Sequence, residues 1–311
     1  FTINSLAISL NPESYGEMLD YYGGQRDISE RAVRVLHNLS FVEDPTRMFR
    51  AVRFEQRLGF QIGRQTEHLL RSAVRLGLLD KVSGKRLFNE LCLIFNERDP
   101  LPAVLRLHKF DLLRALHPQL GGQNDASHTF NEAKRAIDWY ELLYTGQPCE
   151  HWLCYFLVLT AGLDDKAMVE LVNRLQVPSR FVELLTLQRR EAFASLKRLE
   201  RRRHGSEPRD SSLYRWFEHF STELLLMMMA LTAKEHVRQW LSRFIGHLRD
   251  IKPLLTGHQL AQLGIPPGPL YKKILADLFR AQLDGRAATV EEQCHMAWKK
   301  YGGSGERSVS M

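Results

Sequence analysis

The segment from Glu43 to Phe54 gathers residue types suited to nucleotide recognition: the acids Glu43 and Asp44, then Pro45, then arginines at 47, 50 and 53 in three-residue steps. Asp44 is a good N-cap and Pro45 is preorganised for a first helical position, so the sequence predicts a helix to about Leu58 that ends at Gly59. On such a helix Arg47, Arg50 and Arg53 share one side, and Arg57 continues the stripe. A guanidinium fork pairs with phosphate or with a base edge, and a carboxylate beside it accepts from an exocyclic amine. Together they can read one base and hold its triphosphate. The same residues also describe a capped helix with a solvated basic face, and the segment by itself does not separate the two.

Two further segments carry concentrated positive charge. Arg189, Arg190, Lys197, Arg198, Arg201, Arg202 and Arg203 stand against only Glu191 and Glu200, within a chain whose formal net charge is +7. Such a run suits the backbone of RNA or DNA, or else marks a solvated helix end leading into the Gly205 to Ser212 linker. Near the C-terminus, Thr256 and Gln259 form a capping box. A turn through Gly264-Ile265-Pro266-Pro267-Gly268-Pro269 then feeds a helix with Lys272 and Lys273 in its first turns. Backbone N–H groups at such a helix start suit a phosphate, and an ordinary helix-turn-helix connection with solvent-facing lysines is the alternative.

Other chemistries find little support. Asp20 and Asp27 flank Gly23-Gly24 and read as turn and cap residues rather than as a metal pair. The twelve histidines are scattered, and no HD dipeptide or His-x3-His spacing marks a metal site. Cys92, Cys149, Cys154 and Cys294 form no CxxC pair, and four cysteines in 311 residues suit a reducing cytoplasm. The longest strongly apolar run, Leu224 to Leu231, is far short of a membrane span and reads as a buried helix, with Met227-Met228-Met229 as packing.

The elements that must position these residues are almost all helical. Strand character is confined to Phe1 to Leu10, which alternates, contains β-branched residues and stops at Asn11-Pro12. After Asp27 the apolar spacing predicts helices near 28–36, 45–58, 64–76, 83–96, 101–116, 127–145, 149–162, 165–175 and 179–203. Further helices are predicted near 211–219, 221–232, 235–250, 256–263, 269–284 and 289–301. The fold class is therefore mainly α, an elongated multi-helix array with a short β remnant at the N-terminus. The segment 302–311 reads as a disordered tail.

Four ordered runs carry a family resemblance: Phe1 to Ile8, Asp20 to Asp27, Val35-Leu36-His37, and Glu43 to Phe54 followed by Leu58-Gly59-Phe60. In order and spacing they resemble the class II nucleotidyltransferases that add CCA or A to tRNA, or poly(A) to RNA. The resemblance implies a Gly-rich loop and a pair of Mg²⁺-binding aspartates upstream of Phe1. The chain is thus expected to be the C-terminal part of a longer enzyme, with no catalytic or metal residue of its own and no activity alone.

The resemblance also implies roles. Asp44 and Arg47 would face the incoming base, with Arg50 and Arg53 beside them toward the triphosphate, and Glu43 would orient Arg47. Asp accepts from the amine that cytosine and adenine both carry, whereas guanine and uracil meet mispaired groups. Arg86 and Glu90, four residues apart, match a helix that braces this region. Arg198, Arg201, Arg202, Arg203, Lys272 and Lys273 become candidate tRNA phosphate contacts, the last two because the Gly-x-x-Pro-Gly-Pro pattern recurs in tails of bacterial CCA- and A-adding enzymes. In family terms, 1–38 resembles the remnant of the catalytic palm, 39–99 the neck, 100–205 the body and 206–311 the tail. The expected function is base selection and tRNA grip in a tRNA nucleotidyltransferase that uses CTP and ATP. A poly(A) polymerase and a non-catalytic RNA-binding module are the alternatives, and the product, CCA, a terminal A or poly(A), stays open.

Overall fold

The computed structural model describes residues 1–122, 126–202, 207–265 and 267–301. The chain divides into two compact units: residues 1–193 with 226–231, and residues 194–225 with the described residues from 232 onward. The division falls inside a helix, between Phe193 and Ala194.

The first unit opens with a short antiparallel pair, β1 (Ala7–Ile8) against β2 (Met18–Leu19), followed by α1 (Gly24–Ser29). The residues expected to continue as helix to position 36 instead form β3 (Ala32–Val33), which pairs in parallel with β4 (Gln61–Ile62). Arg31 leaves the helix at φ 50°, its carbonyl accepts from Gln61 N–H at 2.8 Å, and Ala32 and Val33 are buried. Distant backbone partners outweigh local helix propensity there. Strand is thus not confined to the first ten residues.

Between β3 and β4 lie α2 (Ser40–Glu43) and α3 (Arg47–Leu58). The helix α3 buries Met48, Phe49, Ala51 and Val52 on one side, which leaves the arginine stripe on the other. Gly59 ends it in the left-handed conformation at φ 65°, as Phe60 N–H returns to Glu55 C=O at 2.9 Å. Next come α4 (Arg64–Arg75), α5 (Gly84–Phe95), α6 (Leu101–Lys109) and α7 (Leu112–Leu116). Asp111, at φ 59°, splits what reads in sequence as one helix over 101–116.

The unit is completed by α8 (Ala126–Glu141), α9 (His151–Leu159), α10 (Asp165–Arg174), α11 (Ser179–Glu183) and the first residues of α12 (Arg189–Glu200). Helix α9 is its centre, with every residue from Trp152 to Leu159 buried. It meets α5 through Phe88 on Trp152, ring centroids 5.2 Å apart, and Phe95 on Phe156 at 6.4 Å. Gly84 lets α5 approach the end of α10 so closely that a Cβ there would lie 2.0 Å from the Arg174 carbonyl oxygen.

The second unit begins within α12 and includes α13 (Asp210–Phe217), part of α14 (Thr222–Leu231), α15 (Glu235–Arg243), α16 (Gly257–Gln262), α17 (Leu270–Leu283) and α18 (Val290–Tyr301). Tyr214 anchors α13, edge-on to Phe279 of α17 at 5.0 Å and to Phe244 at 5.8 Å. A smaller core of Leu255, Leu260, Ile265, Ile274, Leu278 and Ala297 holds the last helices together. Met227, Met228 and Met229 of α14 are buried as packing residues. No helix among the described residues is long and apolar enough to cross a membrane.

Candidate nucleotide and nucleic-acid interface

The entry to α3 is a tight turn that puts Thr46, not Asp44, at the N-cap position. Asp44 Oδ1 accepts from the Thr46 backbone N–H at 3.1 Å and from the Thr46 hydroxyl at 2.6 Å. Arg47 N–H bonds the Asp44 carbonyl at 3.1 Å, so the turn from Asp44 is tight and the regular helix begins only at Arg47. The other carboxylate oxygen, Oδ2, pairs with Arg86 Nη2 of α5 at 2.8 Å. Burial works to raise the Asp44 pKa, but the Thr46 hydrogen bonds and the Arg86 charge outweigh it and hold the carboxyl below its usual range. Asp44 is therefore an ionised acceptor in one orientation, with its side chain 18% exposed.

Arg47 is anchored beside it. Its Nη1 donates to the Ser40 carbonyl at 3.1 Å and lies 3.5 Å from Glu43 Oε2, which also faces His37 Nε2 at 3.3 Å. Glu43 thus lies against Arg47 on one side and His37 on the other. One nitrogen carries these contacts, and the rest of the fork has no ion-pair partner among the described residues. Arg50 is half-exposed and 3.9 Å from Glu90 of α5. Burial raises the Glu90 pKa, against the pull of Arg50 and Arg53. Arg86 and Glu90 therefore brace α3 from α5, one through Asp44 and one through Arg50.

Arg53 does not join the group. Its side chain is 11% exposed, its Nη1 lies 3.4 Å from Glu97, and its guanidinium rests 5.0 Å from the Phe54 ring centre. It is a strut between α3 and the turn after α5, which takes it away from the triphosphate role expected of it. Phe1 packs edge-on to Phe54 at 5.6 Å, which places it beside the end of α3.

Asp20 and Asp27 part company. Asp20 accepts from Gly24 N–H at 2.8 Å and Gln25 N–H at 3.0 Å and caps α1, as expected. Asp27 is not a turn or cap residue: it is fully buried, accepts from the Thr2 hydroxyl at 2.7 Å and pairs with Arg34, which clamps the first residues onto β3. No group of three or more His, Cys, Asp or Glu side chains among the described residues is placed to hold a metal ion.

The basic run is less uniform than its sequence. Arg189 is 2% exposed and donates through Nη2 to the Thr160 carbonyl at 2.7 Å and the Leu163 carbonyl at 2.9 Å. It follows a π turn at Leu184–Gln188, where an extra residue in the helical ladder resets which positions face inward. Arg189 is structural and drops out of the surface. Arg198, Arg201 and Arg202 are exposed, and Arg203 lies outside the described residues.

Facing that helix end, α13 supplies Arg215 and Trp216, which sequence reasoning passed over. Arg198, Arg202, Arg215, Trp216 and His219 line one cavity, and Arg202 lies 4.2 Å over the Trp216 ring. An arginine next to a tryptophan just after the basic run was the available signal. Lys272 and Lys273 are exposed at the start of α17. Gln259 Oε1 accepts from Thr256 N–H at 2.9 Å, which realises the predicted capping box, and Gly264 turns the chain at φ 78°. Pro266 and the segment 302–311 lie outside the described residues.

Known proteins resemble the chain at several levels. A family described as the probable RNA and SrmB-binding site of polymerase A matches residues 59–122. An A-adding tRNA nucleotidyltransferase of Geobacter sulfurreducens is 45% identical over 298 residues, covering 96% of this chain and 34% of the relative. One from Aquifex aeolicus is 31% identical over 253 residues, 81% of this chain and 30% of the relative. The chain therefore spans about a third of the length of these curated relatives. Among solved structures, a CCA-adding enzyme with ATP superimposes with a TM-score of 0.76 at 30% identity, covering 98% of this chain and 71% of that one. The Thermotoga maritima CCA-adding enzyme complexed with tRNA gives a TM-score of 0.77 at 30% identity, over 96% of this chain and 72% of that structure. A mainly helical fold, an Asp44 bracket at the start of an arginine-bearing helix and likeness over most of a solved enzyme place this chain in the tRNA nucleotidyltransferase family.

Proposed function

We propose that this chain selects the nucleotide and grips the RNA in an enzyme that adds the terminal A to tRNA 3′ ends. The observation that carries the reading is the Asp44 bracket: a carboxylate held ionised by Thr46 and Arg86, next to an Arg47 fixed by Ser40 and Glu43. Adenine offers a donor in its exocyclic amine and an acceptor in the adjoining ring nitrogen, the complement of Asp44 and Arg47. Because both side chains are anchored, little ordering remains to be done when the base arrives. Arg50 is the nearest further cation on the same helix and is assigned to the phosphates.

Addition of A is favoured over addition of CCA by the degree of identity. The A-adding relative from Geobacter sulfurreducens is 45% identical over 96% of the chain, whereas the CCA-adding enzymes that match 96–98% of it are 30% identical. Cytosine carries the same donor and acceptor edge, so CTP use is the second reading. The divisions 1–38, 39–99, 100–205 and 206–311 are proposed as palm remnant, neck, body and tail, with tRNA as the partner and the cytoplasm as the place of action. Residues outside this sequence would join nucleotide to RNA.

The test is nucleotide incorporation by the intact polypeptide that carries this chain, supplied with tRNA ending in CC and tRNA lacking CCA. The reading expects AMP addition to the first and no CMP addition to the second. CMP addition to the second would establish the CCA reading, and long A tails on either would establish a poly(A) polymerase.

A further inference from the structure

Arg198, Arg202 and Arg215 line a cavity of about 240 Å³ within the second unit, and no carboxylate is among its described lining residues. Arg198 donates to Ser195 Oγ at 2.8 Å, and neither Arg202 nor Arg215 makes an ion pair with a described residue. Three other arginines of this unit are matched: Arg243 with Asp210 at 2.7 Å, Arg280 with Asp277 at 2.6 Å and Arg286 with Asp284 at 3.1 Å. Three guanidinium groups around one small space repel one another, and a bound anion removes that cost.

The flat partner is also present. Arg202 rests 4.2 Å over the indole of Trp216, which is itself 6.2 Å from the Trp240 ring. Arg202 is exposed, so its outer face is open to a second planar group. Bases released from a helix stack on guanidinium planes as they do on aromatic rings, whereas bases inside a duplex are already stacked.

We propose that this cavity receives one unpaired nucleotide of the RNA partner, with its phosphate on Arg215 and Arg198 and its base stacked on Arg202, which Trp216 backs. The inference rests on the reading of this chain as RNA-gripping. It goes further by making the grip sensitive to an unstacked base rather than to backbone charge alone, and by assigning Arg215 and Trp216.

The experiment compares equilibrium binding of a fully paired RNA hairpin with the same hairpin carrying one bulged nucleotide, using the intact polypeptide. Wild type is expected to bind the bulged RNA about fivefold or more tighter, the low end of stacking on one base. Arg202→Lys keeps the charge but removes the flat face, so it is expected to erase the advantage while leaving hairpin affinity nearly unchanged. Arg215→Ala is expected to weaken the bulged RNA more than the paired one. Equal binding of both RNAs by wild type, or an advantage that survives Arg202→Lys, overturns the inference and leaves the nucleotidyltransferase reading standing. Binding of neither RNA overturns both. Free AMP competing as well as bulged RNA, mole for mole, would assign the cavity to a free nucleotide and overturn the RNA assignment.

Discussion

Arg86 Nη2 lies 2.8 Å from Asp44 Oδ2, a contact that joins α5 to the entry of α3 across forty-two residues of sequence. Arg86 is half-exposed, so the pair contributes little to stability, typically about 0–1 kcal/mol. Its consequence is orientation: the second carboxylate oxygen is fixed while Thr46 holds the first. Arg86→Ala in the intact enzyme is therefore expected to shift thermal stability only slightly and to raise the KM for ATP about tenfold, with tRNA affinity unchanged. Parallel nucleotide titrations and tRNA binding isotherms check this, and an equal loss in both would assign Arg86 a general structural role.

The depressed Asp44 pKa gives a pH dependence of definite sign. The folded state binds this proton less readily than the unfolded chain, whose carboxyl titrates near the ordinary value of about 3.9. The stabilisation from the bracket is present above that value and is lost as pH falls through the lower, folded pKa. Melting curves of wild type and Asp44→Asn are expected to differ by a constant amount from pH 7 to about 5 and to converge in more acid solution. Curves that converge on the alkaline side would contradict the bracket.

Arg189 offers a stability test away from the nucleotide. Truncation to alanine leaves the Thr160 and Leu163 carbonyls without their donor and opens a space in the interior. Arg189→Ala is expected to cost about 2–4 kcal/mol in denaturant unfolding, whereas Arg201→Ala, exposed in the same run, is expected to cost less than about 0.5 kcal/mol. Similar small losses from both would show that Arg189 is not the strut described.

Gly84 is a second internal control. Its replacement by alanine would set a Cβ against the Arg174 carbonyl, so α5 must move away from α10 and carry Arg86 with it. Gly84→Ala is expected to destabilise by about 1–3 kcal/mol and to raise the KM for ATP as well. A variant of wild-type stability would mean that the two helices separate freely.

These contrasts show which parts of the molecule were legible in the sequence. The helix α3 was readable because Asp44, Pro45 and Gly59 are local signals that act within one turn. Met227 to Met229 were readable as packing for a similar reason, since a long apolar run has few alternatives. The β3 and β4 pairing was not, because its two-residue strands exist only through backbone partners about thirty residues apart. Asp27 and Arg189 were misread in the same manner. Each carries a charge that sequence statistics send to the surface, and each is buried by partners that are remote in sequence, Thr2 and Arg34 for one and two carbonyls for the other. Arg53 shared the spacing of Arg47 and Arg50 but not their exposure, since three-residue steps drift around the helix until the stripe meets Glu97.

The central claim is that Asp44 and Arg47 choose the nucleotide, and its most direct test is the kinetics of Arg47→Ala in the intact enzyme with tRNA ending in CC. The account predicts that kcat/KM for ATP falls by about 10- to 100-fold while the Kd for tRNA stays at its wild-type value. An unchanged kcat/KM for ATP would contradict it.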